Sequence, residues 1–312
     1  YPNQLDPGQS NYGFFPLYPL LVRLLRGLLH GNTILAGIIV SNLALLVAAV
    51  FLYRLVRLSS DEATARRSMK YLFLFPAGFI LSGVFSEPLF LALAILCFYF
   101  ARKGDWLLCG LMGFLVSLTR SNGVLIVLPV FWEYLRAKQF SLRNLRPDIL
   151  LLGLIPAGAL SFAIFCFIKT GDPLAYVHAK QSGWHLTMHD PFTVLYRNLI
   201  TGSPPLVFNA LLAIAVIVLL AVGYRRIGFA YWLFGMLMIT MALAYGLGAP
   251  GQARVMTSMY GIARFALEIF PLAIILGGMT RDERVDWPLT TGLALLQGAL
   301  MVFWATGSDL VV

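Results

Sequence analysis

A few polar clusters interrupt an otherwise apolar sequence, and their residue types define the chemistry on offer. Glu87 sits in FSEPLF between two apolar runs, a setting that leaves a carboxylate in need of a proton or a cation. It suits a general base or a hydrogen-bond acceptor for a sugar hydroxyl. It equally suits a structural ion pair, or a cap for the helix that Pro88 begins. Arg120 stands with Asn122 in LTRSNG at the end of another apolar run. A guanidinium matches phosphate oxygens bidentately, so a lipid-linked phosphate is its natural ligand and Glu87 its natural structural partner. Arg264 in ARFALEIFP precedes Glu268 by four residues, a spacing that pairs the two on one helical face. The segment HAKQSGWHLTMHDP offers His178, Lys180, Gln181, Trp184, His185 and His189, a mixture suited to stacking on a sugar and bonding its hydroxyls. His185 and His189 have i,i+4 spacing but no convincing third ligand, so no metal centre is expected. Asp6 and Arg254 complete the set. The sequence contains no P-loop, GxGxxG, nucleophile elbow or HExxH, which disfavours soluble nucleotide chemistry.

The elements that hold these residues must be membrane helices. Of 312 residues, 59% are hydrophobic and 12% charged, against about a quarter charged in soluble domains. The fold class expected is all-α, one polytopic transmembrane bundle over residues 1–312, with about ten crossings of about 20 residues each where length allows. The candidates are 33–53, 70–83, 86–101, 106–119, 122–136, 148–169, 205–223, 228–247, 257–279 and 287–306. The second to fifth are short for a crossing, which points to broken or re-entrant helices lining a cavity. Segment 14–29, with Arg23 and Arg26 on one face and leucines on the other, reads as an amphipathic helix in the outer interface. Residues 1–32 then form an outer loop with that helix. Residues 170–204 form a second outer loop, long enough to be functional.

The net charge of +9 comes from scattered Lys and Arg without interleaved stacking aromatics, so no nucleic acid is expected as a partner. Most of the 23 basic residues fall in alternate joints, among them Arg54, Arg67, Lys70, Arg102, Arg136, Arg225 and Arg281. Cytoplasmic joints collect such residues, so the polar clusters belong on the opposite face. Cys97, Cys109 and Cys166 lie within apolar runs and read as small buried hydrophobes.

Five of these stretches, in order, resemble the PIG-V family, the second mannosyltransferase of glycosylphosphatidylinositol assembly, with its bacterial relatives. They are FFPLYPLL at 14–21, FPAGFILSGVFSEPLF at 75–90, TRSNG at 119–123, GDPLAYVHAKQSGW at 171–184 and RFALEIFPL at 264–272. The resemblance implies a C-type glycosyltransferase that moves mannose, with inversion, from a dolichyl- or polyprenyl-phosphate carrier to a lipid-linked, GPI-like acceptor. No cofactor is implied, the lipid-phosphate sugar being a co-substrate, and membrane lipids are the remaining partners. The implied location is the plasma membrane of a bacterium or the endoplasmic reticulum membrane of a eukaryote. Tyr18, Arg120, Asn122, His178, Gln181, Trp184 and Arg264 become the candidate substrate-binding residues. The family carries an Asp in a Trp-Asp motif just after its first transmembrane helix, and this chain, lacking an initiator Met, is expected to begin downstream of it and could therefore lack activity. Asp6 and Glu87 are the catalytic candidates within the chain, although Asp6 in QLDPG also suits a turn. A transporter or flippase without transferase activity is the rival class, but no paired internal repeat supports it. A membrane scaffold would leave TRSNG and the aromatic loop without a purpose.

Overall fold

The computed structural model describes residues 10–200, 203–247 and 261–308, and the helices among them account for most of the chain. Helix α1 (Leu17–Leu28) is amphipathic in the way its sequence requires. Tyr18 and Val22 pack inward, Leu20, Leu24 and Leu28 are exposed along one side, and Arg23 and Arg26 face outward on another. That division suits a helix lying where hydrocarbon meets headgroups. Helix α2 (Thr33–Arg57) starts at Asn32, whose side chain accepts from Leu35 N–H at 3.0 Å. Small residues Ala36, Ser41, Ala44 and Ala48 form its buried side, while Ile34, Leu43 and Leu46 are exposed. Small inward residues let helices approach closely where no aqueous hydrophobic effect drives them together.

Helix α4 (Glu87–Lys103) is the central element, with nearly every residue from Glu87 to Phe98 buried. It ends at Gly104, whose φ of 75° is the left-handed conformation that glycine adopts without strain. Helix α5 (Trp106–Ser117) follows after the Asp105 cap and packs on α7 (Leu154–Thr170). There a Cβ on Gly158 would stand 2.4 Å from the Phe114 carbonyl oxygen, so the contact is backbone to backbone. Helix α6 (Val127–Ala137) lies between α5 and α7 in sequence. The later elements are α8 (Ala175–Trp184), α9 (Pro191–Ile200), α10 (Pro204–Ile227), α11 (Phe229–Ala244), α12 (Ile262–Ala266), α13 (Pro271–Met279) and α14 (Glu283–Ala305).

Four helical stretches among the described residues are long and apolar enough to cross a membrane: Thr33–Arg57, Pro147–Thr170, Pro204–Ile227 and Glu283–Ala305. The other six expected crossings are shorter or broken. The 70–83 candidate is not one helix: α3 (Glu62–Phe73) ends before Pro76, and a 3-10 turn covers Gly78–Ser82. Pro76 has no N–H to continue the ladder. Around the break the Phe73 and Phe75 carbonyls accept from Gln297 Nε2 of α14, at 2.8 and 3.0 Å, and that of Phe75 also from the Gly78 N–H at 2.7 Å, which is how irregular backbone survives inside a bundle. The 257–279 candidate is likewise split into α12 and α13 ahead of Pro271, with 257–260 outside the described residues.

The all-α expectation needs one amendment. Strands β1 (Leu186–Met188) and β2 (Tyr245–Leu247) pair antiparallel, Met188 opposite Tyr245. The described residues of the 170–204 connection therefore form α8, β1 and α9 rather than an open loop. Ion pairs of the basic joints tie α3 to α14 through Lys70–Asp286 at 2.6 Å and α4 to α6 through Arg102–Glu133 at 3.6 Å, and close one joint locally through Lys138–Asp148 at 3.2 Å.

Candidate active site

Three helix breaks meet at one place, and each delivers a charged or polar side chain. Glu87 is the first residue of α4, where the helix N-terminus favours a carboxylate. Arg120 lies in extended conformation between α5 and the 3-10 turn Ser121–Ile126. Arg264 sits in α12 and Glu268 in the gap before α13. The break at TRSNG depends on Gly123, where an added Cβ would stand 2.3 Å from the Val116 carbonyl oxygen and 2.8 Å from its carbon. Neither atom is the end of a flexible side chain. Gly123→Ala is therefore expected to destabilise the protein by about 1–3 kcal/mol through overpacking and to displace Arg120. Thermal unfolding in detergent checks this, and an unchanged midpoint would remove the requirement.

Arg120 bridges two acids: its Nη1 lies 2.7 Å from Glu87 Oε1 and its Nε 2.8 Å from Glu268 Oε1. Arg264 pairs with Glu87 through Nε and lies over the Phe85 ring, its Cζ 4.9 Å from the centroid. Asn122 Nδ2 donates to Glu268 Oε2 at 3.0 Å. The local Arg264–Glu268 pair expected from i,i+4 spacing is thus not formed. The helix breaks between them, so the spacing no longer sets a common face, and Glu268 turns to Arg120 while Arg264 turns to Glu87.

In front of this network opens a cavity of about 820 Å³ lined by Gly13–Phe15, Tyr18, Pro19, Val84–Ser86, Thr119–Asn122, Lys180, Leu186, Met241, Ala242, Tyr245, Arg264 and Phe265. Glu87 and Glu268 are 0% and 1% exposed and stand behind the arginines rather than in the lining. Tyr18 reaches the wall from α1 and is fixed by Ser41 Oγ at 2.8 Å. Arg120, Asn122, Arg264 and Tyr18 are thus brought together along one cavity.

The α8 residues divide. His178 is exposed and pairs with Asp172, Nδ1 to Oδ2 at 2.6 Å, and that bond holds the Asp172 carboxyl below its usual range. Gln181 is exposed, and neither it nor His178 lines the cavity. Trp184 ends α8, and its side chain lies outside what the structure describes. His185 and His189 flank β1 instead of sharing a helical face, and His189 Nε2 meets Thr187 Oγ1 at 2.7 Å, which takes away the geometry behind the metal alternative. Asp6 and Arg254 lie outside the described residues.

Lys180 is the residue that sequence reading undervalued. Tyr176, one turn earlier on the same face of α8, packs edge-on against Phe15 at 5.4 Å, and β1 anchors the other end of the segment on β2. Held this way, Lys180 Nζ donates to Ser121 Oγ at 2.9 Å and sits 5.6 Å from the Tyr245 ring centroid. Burial, then the neighbouring Arg120 charge, lower its pKa to about 8. The sequence signal was present, since Tyr176 and Lys180 are spaced i,i+4, but nothing in it marked which face of α8 meets the cavity.

A polar wall of paired charges facing an apolar cavity can hold an anion whose remainder is greasy. No match was found among curated proteins or among solved structures. The family model described as Mannosyltransferase (PIG-V) matches residues 8–179, more than half the chain, and the matched stretch contains Tyr18, Glu87, Arg120 and Asn122. Lys180 and Arg264 lie beyond it but line the same cavity, with Glu268 behind them. The chain belongs to the mannosyltransferase (PIG-V) family.

Proposed function

We propose that the protein transfers mannose from a polyprenyl- or dolichyl-phosphate carrier to a lipid-linked acceptor of the GPI type, on the non-cytoplasmic face of its membrane. The observation that carries this is the cavity wall in which Arg120, Arg264 and Lys180 converge beside apolar surface. A carrier phosphate is an anion on a hydrocarbon chain, and this wall offers cations next to Phe14, Phe15 and Phe265. Cations fixed in a site of restricted water stabilise the charge that develops on a leaving phosphate. The α1 segment in the cavity rim allows lipids to enter sideways from the bilayer.

The choice of face is supported by the opposite ends of α4. Glu87 begins that helix and Arg102 lies near its end, roughly 22 Å away at 1.5 Å per residue. Arg102 belongs to the basic joints that mark a cytoplasmic side.

Among the described residues no carboxylate lines the cavity. Glu87 and Glu268 are assigned the task of fixing the arginines, and Asp6 remains the acid proposed to take the acceptor's proton. Asp6→Asn is accordingly expected to lower transfer at least about a hundredfold, the common scale for a general base, with unchanged thermal stability. Membranes containing the protein, given radiolabelled polyprenyl-phosphate mannose, should form a labelled glycolipid. Labelled donor that crosses the bilayer intact, with no new glycolipid, would favour a flippase instead.

A further inference from the structure

We propose that Lys180 is the anchor for the donor's phosphate, with the two arginines serving to shape the wall around it. This rests on the reading of the cavity as a carrier-phosphate site. Arg120 and Arg264 are matched in number by Glu87 and Glu268, and each arginine is in ion-pair contact with at least one of them. Their charges are therefore largely cancelled before a ligand arrives. Lys180 has no carboxylate within ion-pair distance among the described residues; its contacts are the Ser121 hydroxyl and the Tyr245 ring. It thus supplies the net positive charge of the wall. Ser121 Oγ accepts from Nζ and keeps its own hydroxyl hydrogen to donate to the same anion. An ammonium is a compact point charge, adequate for a phosphodiester that carries one negative charge.

The groups facing Nζ are Ser121 and Arg120 from the TRSNG turn, Tyr245 from β2 and, behind Arg120, Glu268 with Glu87 and Arg264. On α8 itself, His178 is held to Asp172 on the exposed side. With its pKa at about 8, Lys180 is mostly charged at pH 7 and mostly neutral at pH 9. Capture of an anion by the free protein should weaken about tenfold over that interval.

The test is binding of farnesyl methyl phosphate to the purified protein in nanodiscs from pH 6.5 to 9.5. That diester keeps a single charge across the range, so any pH dependence comes from the protein. Wild type should lose about tenfold in affinity between pH 7 and 9. Lys180→Ala should bind weakly at pH 7, with a flat profile. Lys180→Arg should restore binding and keep it at pH 9, because guanidinium stays protonated. A K180A protein that binds as wild type does overturns the proposal. Mannose transfer measured on the same preparations separates the two readings. Lys180-dependent binding without transfer removes the transferase and leaves the anchor. Transfer with Lys180-independent binding removes the anchor and leaves the transferase.

Discussion

Arg120→Ala is expected to abolish mannose transfer and to lower the thermal midpoint by about 5–8 °C. The stability loss follows from what is left behind. Arg120 is the bridge between two almost fully buried carboxylates, at 2.7 Å from Glu87 and 2.8 Å from Glu268. Removing one partner of a buried ion pair costs about 3–5 kcal/mol, mostly as the burden of an uncompensated charge. Converted through the unfolding entropy of a domain of this size, that gives the shift in midpoint. Arg120→Lys should recover little, because a lysine reaches one acid at a time and lacks the fork that spans both. Glu268→Gln placed on top of Arg120→Ala should recover part of the stability by deleting one orphaned charge. If R120A unfolds at the wild-type temperature, the Glu87–Arg264 pair is sufficient and the bridge is not structural.

Glu87→Gln gives the second large effect and separates two roles for the same carboxylate. Glu87 is the shared partner of Arg120 and Arg264. Its neutral amide would leave Arg264 without its carboxylate and Arg120 with Glu268 alone, so stability and transfer should fall together. Transfer is expected to drop by about 10²–10³-fold, the scale seen when a fixed electrostatic group is lost. The double variant with Arg264→Gln should be less destabilised than the sum of the two singles, with a coupling of about 0.5–3 kcal/mol. A carboxylate that took the acceptor's proton would behave differently. Its amide variant would fold at wild-type stability, lose kcat alone and show no coupling to Arg264.

The charged cluster was legible in the sequence because ionisable residues within apolar runs are rare and costly in a membrane. Glu87, Arg120 and Arg264 stand out for that reason, with Asn122 beside Arg120, and the structure gathers them into one network behind and along the cavity wall. Partner choice was not legible. Arg264 and Glu268 are four apart, but the chain breaks between α12 and α13, and pairing follows the break rather than the spacing. Lys180 was one polar residue among many in a long connection. Its importance comes from Phe15 and Tyr176 docking α8 and from β1 pairing with β2, contacts between segments far apart in sequence. The amphipathic α1 and the long α2, α7, α10 and α14 were read from periodicity and length. The break expected among the short candidates falls within 70–83 for a local cause, Pro76, with a distant partner in Gln297, and hydropathy places neither.

One experiment addresses donor and membrane face together. Sealed right-side-out vesicles containing the protein are given labelled polyprenyl-phosphate mannose or labelled GDP-mannose, and the product is then challenged with external mannosidase. Mannolipid formed from the polyprenyl-phosphate donor, absent with GDP-mannose and removed by the external enzyme, is the expected outcome. Product formed from GDP-mannose, or product that the external mannosidase cannot reach, would contradict a carrier-phosphate site on the non-cytoplasmic face.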